Sequence, residues 1–348
     1  LGPTYDDLTK QTICAAFGQK LVLHEDILED IRAFYQSVLH VPMPENNTQQ
    51  AELPEGCTVF DNPVGTAPGC AFEADGVHVL MLPGPPHECE TMLRRCVEPY
   101  LRALSKEVIV SHDIMTFGMG ESSVDQLLHD RMVRMVNPTL ATYAKPCEVR
   151  LRATAKAAGA EEAEAMLAPV VAEVRAALGD YVYGVDVKGL EAVCFQLLKE
   201  RGLTLATAES CTGGRVAERI TALPGVSSVY RGGVVSYWTS VKAAVLGVPQ
   251  ETLDQYGAVS EETARAMAEG ARQITGADIA VSVTGVAGPD RDERDNPVGL
   301  VYIGLATPEG TFCRRTDSGR RRRDRIQELA ANHALDVVRR YLTGLPIG

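Results

Sequence analysis

The sequence predicts an α/β protein whose C-terminal part forms three layers, with a sheet between two layers of helices. Two observations support this prediction. The short, largely apolar runs Leu203–Ala206 and Ile279–Val283 have the length and composition of strands that are buried on both faces of a sheet. Each run leads into a glycine-bearing turn, and the first turn is followed by Arg215–Leu223, where apolar residues recur at helical spacing.

Both kinds of element recur along the whole chain. Helical spacing and capping residues predict nine helices, at 8–17, 90–103, 124–132, 160–178, 191–201, 215–223, 241–246, 260–275 and 326–342. Apolar and β-branched runs predict strands at 70–73, 77–82, 107–112, 141–143, 149–154, 203–206, 232–238, 279–283, 298–307 and 311–316.

The composition is that of a soluble globular protein with two or three domains. The chain has 348 residues, of which 45% are hydrophobic and 23% are charged. It shows neither an apolar run of membrane-spanning length nor a signal peptide, and its nine cysteines form no CxxC pair. The net charge of −12 disfavours nucleic acid as a partner. We therefore expect a cytoplasmic protein with reduced thiols that binds neither nucleic acid nor membranes.

Ser210 lies where the predicted strand 203–206 turns into the helix 215–223. A hydroxyl at such a turn is close to unpaired backbone N–H groups and to the positive end of a helix dipole. Gly213 and Gly214 lack side chains, so another molecule can approach the backbone there. The turn predicts an oxyanion site with Ser210 as nucleophile and with substrate contacts from Thr212, Gly213 and Gly214. The alternative is an ordinary helix-capping serine.

A serine nucleophile needs a base, and Lys242 is the candidate. From residue 190 onward the chain has one histidine, His333, and two lysines, Lys199 and Lys242. Lys199 lies on an amphipathic helix, where an exposed lysine is expected. Lys242 follows a capping pair, Thr239 and Ser240, and lies in the first turn of its helix, where the dipole disfavours a cation and lowers the pKa of the amine. The alternative is a surface lysine.

Five segments in this order and spacing resemble the C-terminal domain of the CinA family, over about residues 188–343: 207–214, 236–248, 258–264, 283–289 and 297–302. The resemblance implies a Ser/Lys amidohydrolase that converts nicotinamide mononucleotide and water to nicotinate mononucleotide and ammonia. It implies Ser210 as nucleophile, Lys242 as base and Tyr237 as a residue that supports the pair. It implies no metal or other cofactor for this step.

Further substrate contacts are expected near the ends of two other elements. The loop after strand 279–283 lies where ligands bind in open α/β sheets, so we assign Thr284, Gly285 and Gly288 to the substrate. Among the four arginines before the last helix, Arg320 matches the family position for a phosphate contact, and its three neighbours are expected to be solvated. The charged run 290–295 departs from the family and is expected to be a solvated loop.

Cys211 is a rival nucleophile beside Ser210. No histidine is near it in sequence, and a buried, inert cysteine is the commoner case.

The first part of the chain, residues 1–105, resembles the N-terminal domain of CinA proteins, which is similar to molybdopterin-binding (MoaB/MogA-like) proteins. The resemblance rests on residues 44–56 and 62–88. The chain starts well inside the family domain, so we expect a truncated domain. Asp6 and Asp7 follow a Gly-Pro loop at a helix start and are candidate contacts for a divalent metal or phosphate, the alternative being simple helix capping. The loops 62–66 and 83–86 are candidate nucleotide walls, or rigid turns.

Residues 106–185 resemble the small KH-like α+β domain of CinA proteins, and residues 186–348 form the predicted amidase domain. A KH fold usually binds RNA, but the GXXG loop is not visible here and the segment is not basic. We expect this domain to be a spacer or a dimer contact, in a homodimer. Gly118-Met119-Gly120 alone is a weak phosphate motif.

The function expected from the sequence is hydrolysis of the nicotinamide mononucleotide carboxamide. One alternative is ADP-ribose pyrophosphatase activity of the first domain, which a metal requirement would distinguish. Another is a non-catalytic, nucleotide-binding, competence-related protein, for which binding without turnover would be the sign.

Overall fold

The computed structural model describes residues 1–347 and divides the chain into two compact units, with the boundary between Val108 and Ile109. The first unit contains two small antiparallel sheets and four helices. Its strands are β1 (Leu21–Leu23), β2 (Glu52–Pro54), β3 (Thr58–Phe60), β4 (Gly69–Ala74) and β5 (Val77–Met81). Its helices are α1 (Thr9–Ala16), α2 (Glu25–Ser37), α3 (Pro86–Met92) and α4 (Glu98–Leu104).

In this first unit, β1 pairs with β2, and β4 lies between β3 and β5. A wider helical turn, Leu93–Val97, joins α3 to α4, so the predicted helix 90–103 begins earlier, at Pro86. Helix α2 is not predicted from the sequence. Its start carries Glu25 and Asp26, which suit the positive end of the dipole, and Leu28 and Ile31 are buried on one face.

The second unit begins with a four-stranded sheet and two helices, which confirms the expected KH-like α+β domain. The strand order is β7-β8-β6-β9. The elements are β6 (Val108–Thr116), α5 (Glu121–Arg134), β7 (Thr139–Lys145), β8 (Glu148–Ala157), α6 (Ala160–Leu178) and β9 (Val182–Val185). Helix α6 has the predicted bounds, and its buried residues recur every three or four positions against β8.

The rest of the second unit is a three-layer α/β/α domain, as predicted. Its sheet has the order β11-β10-β12-β13-β14, with β10 parallel to both neighbours and the pairs β12–β13 and β13–β14 antiparallel. The strands are β10 (Leu205–Glu209), β11 (Tyr230–Val235), β12 (Ile279–Gly285), β13 (Leu300–Thr307) and β14 (Gly310–Asp317). The helices are α7 (Leu190–Arg201), α8 (Arg215–Thr221), α9 (Thr239–Leu246), α10 (Gln250–Tyr256), α11 (Glu261–Thr275) and α12 (Arg323–Thr343).

Alternate residues of β10 face opposite sides of this sheet. Leu205 joins the core formed with α7, α8 and α12, while Ala206 and Ala208 join the core formed with α9, α10 and α11. Burial of both faces explains why strands β10 and β12 lack the alternating pattern of a half-exposed strand.

The sheet register brings together the ends of three strands. The N–H of Ser210 donates to the carbonyl of Val283 at 2.9 Å, and the N–H of Ser236 donates to the carbonyl of Glu209 at 2.8 Å. The chain therefore leaves β10 and β11 at the same edge of the sheet, and the turn after β10 faces the start of α9.

Two helix starts test the capping predictions. Ser260 accepts a hydrogen bond from the N–H of Thr263 at the start of α11, as predicted. The prediction that Thr239 and Ser240 cap the start of α9 is wrong. Both residues are already helical, and Trp238 occupies the N-cap without a side-chain hydrogen bond. In residues 1–347, no helix combines the length and apolar character needed to cross a membrane.

Candidate active site

Ser210 and Lys242 lie in direct contact. The Nζ of Lys242 is 2.9 Å from the Oγ of Ser210 and donates a hydrogen bond of 2.5 Å to the backbone carbonyl of Ser236. Lys242 is only 1% exposed, although it belongs to the first turns of a short helix. The two side chains that the sequence singles out as nucleophile and base are thus brought within hydrogen-bond distance.

Burial lowers the pKa of the Lys242 amine from 10.5 to about 8, and the nearby Cys211 opposes this shift. The largest cause is loss of water on burial, which the sequence does not show. Among residues 1–347, no carboxylate forms an ion pair with Lys242, so the charged amine lacks a full counter-charge. A neutral amine can donate to Ser236 and direct its lone pair to the Ser210 hydroxyl.

Glu209 is a functional residue that the sequence analysis missed. Its side chain is fully buried and accepts hydrogen bonds from the N–H groups of Gly214, Val216 and Ala217, at 3.0, 3.0 and 2.8 Å. The carboxylate thus caps the start of α8 and fixes the turn that carries Ser210. The sequence does contain a signal for this capping role, because an acidic residue a few positions before a helix can cap its start. Glu209 also ends a buried strand, so its capping role is not evident from the sequence.

This arrangement corrects the predicted oxyanion site. Among the four N–H groups from Cys211 to Gly214, that of Gly213 donates to the Ser210 carbonyl at 3.1 Å and that of Gly214 donates to Glu209. In the described part of the chain, the N–H groups of Cys211 and Thr212 have no partner. Only these two are open to an oxyanion.

The turn depends on its glycines. Gly213 has a φ of 64° and Gly214 a φ of 99°, values in the left-handed region that favours glycine. Thr212 beside them is 3% exposed, and its hydroxyl is buried without a hydrogen-bond partner within residues 1–347. The substrate contacts expected from Thr212, Gly213 and Gly214 stay a prediction.

Cys211 is a buried cysteine rather than a second nucleophile. Burial raises the pKa of its thiol to about 12, so the reactive thiolate is suppressed at neutral pH. Its backbone carbonyl accepts a hydrogen bond of 2.8 Å from Gln327 on α12.

Tyr237 lies outside the Ser210–Lys242 contact. Its side chain is 54% exposed, and its hydroxyl accepts a hydrogen bond of 2.6 Å from Arg323 rather than bonding to Ser210 or Lys242. Arg323 also donates to the carbonyl of Gly288 at 2.6 Å. One guanidinium thus joins the β11–α9 connection to the loop after β12.

The contacts of the four arginines 320–323 therefore differ from the prediction. Arg320 makes no hydrogen bond in residues 1–347 and lines a shallow hollow of about 430 Å³ with the loop 289–298. Arg321 donates to the carbonyl of Ser318, and Arg322 pairs with Asp324 on the surface. Arg323, which we expected to be solvated, is the arginine in contact with candidate site residues.

Two predicted substrate contacts have structural partners instead. Thr284 is fully buried, and its hydroxyl donates to the carbonyl of Ala258 at 2.6 Å. A Cβ on Gly285 would lie 2.6 Å from the carbonyl oxygen of Leu300, so this glycine allows β12 and β13 to approach. The Thr284 side chain is therefore closed to a ligand, whereas Gly285 is half-buried and Gly288 lies in the loop that Arg323 contacts.

The charged loop 290–295 is exposed but is not merely solvated. Arg294 donates to the backbone carbonyls of Asp254 and Gln255 near the end of α10, the latter at 2.8 Å. Arg291 pairs with Asp295 at 2.9 Å. These bonds hold the loop against the same domain, and cations near the last turn of α10 complement its dipole.

In the first unit, the predicted nucleotide walls lie together. A hollow of about 350 Å³ is lined by residues of both proline-rich loops and by Asp7. The side chain and backbone of Thr4 donate to the Asp7 carboxylate and lower its pKa to about 2. Asp6 is exposed. In residues 1–347, no group of three or more His, Cys, Asp or Glu side chains could hold a metal, so the residues do not fit a metal held by protein ligands alone.

Family models match the chain in three successive segments. They describe a probable molybdopterin binding domain at residues 1–103, the KH domain of damage-inducible protein CinA at 111–184, and the CinA C-terminal domain at 187–342.

Similar proteins match over nearly the whole chain. A putative competence-damage inducible protein of Acetivibrio thermocellus is 46% identical over 99% of this chain and 83% of its own length. A CinA-like protein of Kosmotoga olearia is 45% identical over the same shares. The crystal structure of competence/damage inducible protein CihA from Agrobacterium tumefaciens is 37% identical over 44% of this chain and 93% of its own, with a TM-score of 0.43. The chain belongs to the CinA family.

Proposed function

We propose that the chain hydrolyses the carboxamide of nicotinamide mononucleotide to nicotinate mononucleotide and ammonia, with Ser210 as nucleophile and Lys242 as base. The observation that carries this proposal is the 2.9 Å contact between a buried amine without a carboxylate partner and a serine hydroxyl. A lysine whose pKa is about 8 can act as a general base near neutral pH. Family membership agrees with it, because the resemblance described above implies this reaction.

The proposed reaction runs in two halves. The neutral amine of Lys242 takes the Ser210 proton as the serine oxygen bonds to the carboxamide carbon. The N–H groups of Cys211 and Thr212 stabilise the oxyanion. Protonated Lys242 then gives the proton to the amide nitrogen, the C–N bond breaks, and ammonia leaves. Lys242 then takes a proton from water as the water oxygen bonds to the ester carbon. The bond from this carbon to the Ser210 oxygen breaks, Lys242 returns the proton to that oxygen, and the carboxylic acid product is released.

The groups around this pair suit a nucleotide substrate. Arg323 is a planar, permanently charged group that matches a phosphate, and it lies between Tyr237 and Gly288. Trp238, the single tryptophan of the chain, is 76% exposed at the start of the helix that carries Lys242. We propose that Arg323 and Tyr237 hold the phosphate and ribose side of the substrate.

The test is ammonia release from nicotinamide mononucleotide, without added metal, by the full chain and three variants. Ser210→Ala and Lys242→Ala are expected to lose activity by about a thousandfold or more, because the pair acts as a unit. Lys199→Ala is the matched control, since this lysine is exposed on α7, and it should retain full activity.

Full activity in Ser210→Ala would end the proposal. If the unmodified chain released no ammonia, ADP-ribose with a divalent metal would be the next substrate, and nucleotide binding without turnover would favour the non-catalytic alternative. Thermal unfolding of each variant shows whether lost activity reflects lost folding.

A further inference from the structure

A cavity of about 800 Å³ lies inside the second unit, between the KH-like and C-terminal domains. Its KH-like wall is formed by residues 117–121 and 144–149, and its other wall by residues 316–318 and by Arg321, Arg325, Leu329 and His333. Neither Ser210 nor Lys242 lines it. The volume falls within the range of small-molecule sites, roughly 300–1,000 Å³.

Contacts between the two walls define the cavity. The rings of Phe117 and His333 meet edge to face, with centroids 4.8 Å apart. The thiol of Cys147 lies 3.9 Å from the carbonyl oxygen of Arg325 and points towards it. The space is therefore a cleft whose inner end is closed by packing between the domains and whose rim, which includes Lys145, Arg321 and Arg325, is exposed.

Three cations line this space: Lys145, Arg321 and Arg325. Within residues 1–347, none of them forms an ion pair, and only Arg321 makes a side-chain hydrogen bond, through its Nε to the Ser318 carbonyl at 2.9 Å. Their charged ends are free to bind a ligand.

The acidic residues of the cavity are largely engaged elsewhere. Glu148 accepts a hydrogen bond of 3.1 Å from the Tyr183 hydroxyl, and burial raises its pKa. Asp317 accepts from the N–H of Gly319 at 3.0 Å. The third, Glu121, is exposed in the first turn of α5. Because Glu148 and Asp317 already accept hydrogen bonds, Lys145, Arg321 and Arg325 are the lining groups best placed to bind an anionic ligand.

The backbone before α5 adds anion donors. Gly118 has a φ of 91°, and Gly120 is the N-cap of this 14-residue helix without any side-chain capping bond. A Cβ on Gly120 would meet no atom within 4 Å, so a ligand has room there. In the described residues, the N–H groups of Glu121 and Ser122 have no partner, whereas that of Ser123 donates to the Gly120 carbonyl at 3.1 Å. Free N–H groups at a helix start bind phosphate well. The Gly118-Met119-Gly120 motif thus lines the same space as Arg321 and Arg325, which are distant from it in sequence.

The remaining wall is apolar and aromatic. Phe117, Val149 and Leu329 line it, and the His333 ring is neutral because burial lowers its pKa to about 4. A flat heteroaromatic group fits such a surface by stacking and apolar contact.

We propose that this cavity is a second nucleotide site, separate from the Ser210–Lys242 pair. The phosphate lies against the 118–121 segment, Arg321 and Arg325, and the base lies against Phe117 and Leu329. The site does not depend on the proposed amidase reaction, so either proposal can fail alone.

Calorimetric titration of the full chain with AMP, adenosine and inorganic phosphate tests the proposal. AMP is expected to bind, adenosine to bind at least tenfold more weakly, and Arg325→Ala to raise the AMP Kd at least tenfold. Ser210→Ala should leave AMP binding unchanged. Arg322→Ala is the matched control, because Arg322 is 84% exposed in its side chain and pairs with Asp324 outside the cavity.

An unchanged AMP Kd in Arg325→Ala, or no AMP binding at millimolar concentration, would overturn the proposal. Because AMP could instead bind in the first unit, photolabelling with 8-azido-AMP provides a second measurement. Label on residues 117–149 or 316–333 supports the cavity, and label confined to residues 1–108 contradicts it. The Arg325 side chain makes no hydrogen bond in the described chain, so its removal leaves the fold intact, which thermal unfolding checks.

Discussion

The Nζ of Lys242 lies 2.9 Å from the Oγ of Ser210, across 32 residues of sequence, and its other hydrogen bond goes to a backbone carbonyl. A carboxylate in that second position would hold the amine charged and would keep it from accepting a proton. Because a carbonyl takes its place and water is excluded, the amine loses its charge more readily. The pair is therefore arranged for proton transfer from serine to lysine.

The rate of ammonia release should follow the ionisation of Lys242. Its pKa of about 8 means that the neutral fraction rises through this pH, so kcat/KM should increase about tenfold per pH unit below pH 8 and level off above it. The measurement is a pH profile with nicotinamide mononucleotide between pH 6 and 9.5. A rate that is flat over this range would contradict the role of Lys242 as base.

Lys242→Met should stabilise the protein while abolishing activity. The pKa is about 8 when folded and 10.5 when unfolded, so the folded state disfavours the proton. This cost is complete below pH 8 and disappears as the pH rises above 10.5, where the amine is neutral in both states. The shift corresponds to about 3 kcal/mol at pH 7, as an upper estimate.

Urea denaturation of the chain and of Lys242→Met at pH 7 and pH 10 measures this effect. The gain in the free energy of unfolding should be largest at pH 7 and should shrink at pH 10. Lys199→Met is the control, because that lysine is exposed. A loss of stability at pH 7 would mean that the hydrogen bonds of Lys242 outweigh its desolvation.

Glu209→Gln should loosen the nucleophile turn. An amide can replace only one of the two oxygens that accept from Gly214, Val216 and Ala217. We expect a loss of about 1–3 kcal/mol in stability and a fall in kcat of about 10- to 100-fold, with little change in KM. Glu218→Gln on the same helix is exposed and should change neither. Equal kinetics of the two variants would exclude a positioning role for Glu209.

Arg323→Ala should weaken substrate binding more than Arg320→Ala. Arg323 contacts Tyr237 and Gly288, whereas Arg320 makes no hydrogen bond in residues 1–347. Loss of one charge-assisted contact predicts a KM about tenfold higher for Arg323→Ala. Steady-state kinetics of both variants show which arginine contributes to substrate binding. A larger effect from Arg320→Ala would restore the assignment made from the sequence.

The central part of the candidate site could be predicted because its signals are local. A buried strand, a glycine turn and a helix fix the position of Ser210, and a short helix bounded by Gly247 fixes that of Lys242. Helix α6 and the Ser260 cap were likewise predictable from spacing and capping residues alone.

The other parts of the site could not be predicted, because they depend on side-chain directions and on contacts between distant segments. Glu209 ends a buried strand, and only the fold shows that its carboxylate bends back to α8. Arg323 is the first residue of α12, whereas Arg322 is the N-cap and Arg320 and Arg321 precede the helix, and the sequence does not show where the helix begins within this run. The low pKa of Lys242 arises from burial that several elements create together, which no single motif records.

Ser210 and Lys242 both belong to the uninterrupted stretch from β10 to α9, residues 205–246. The hairpin connection between β13 and β14, Pro308 and Glu309, is exposed and lies outside this stretch. A circular permutant opened at this hairpin would therefore keep nucleophile and base on one continuous piece of backbone. A cut of the chain there would likewise leave the reacting pair wholly on the first fragment.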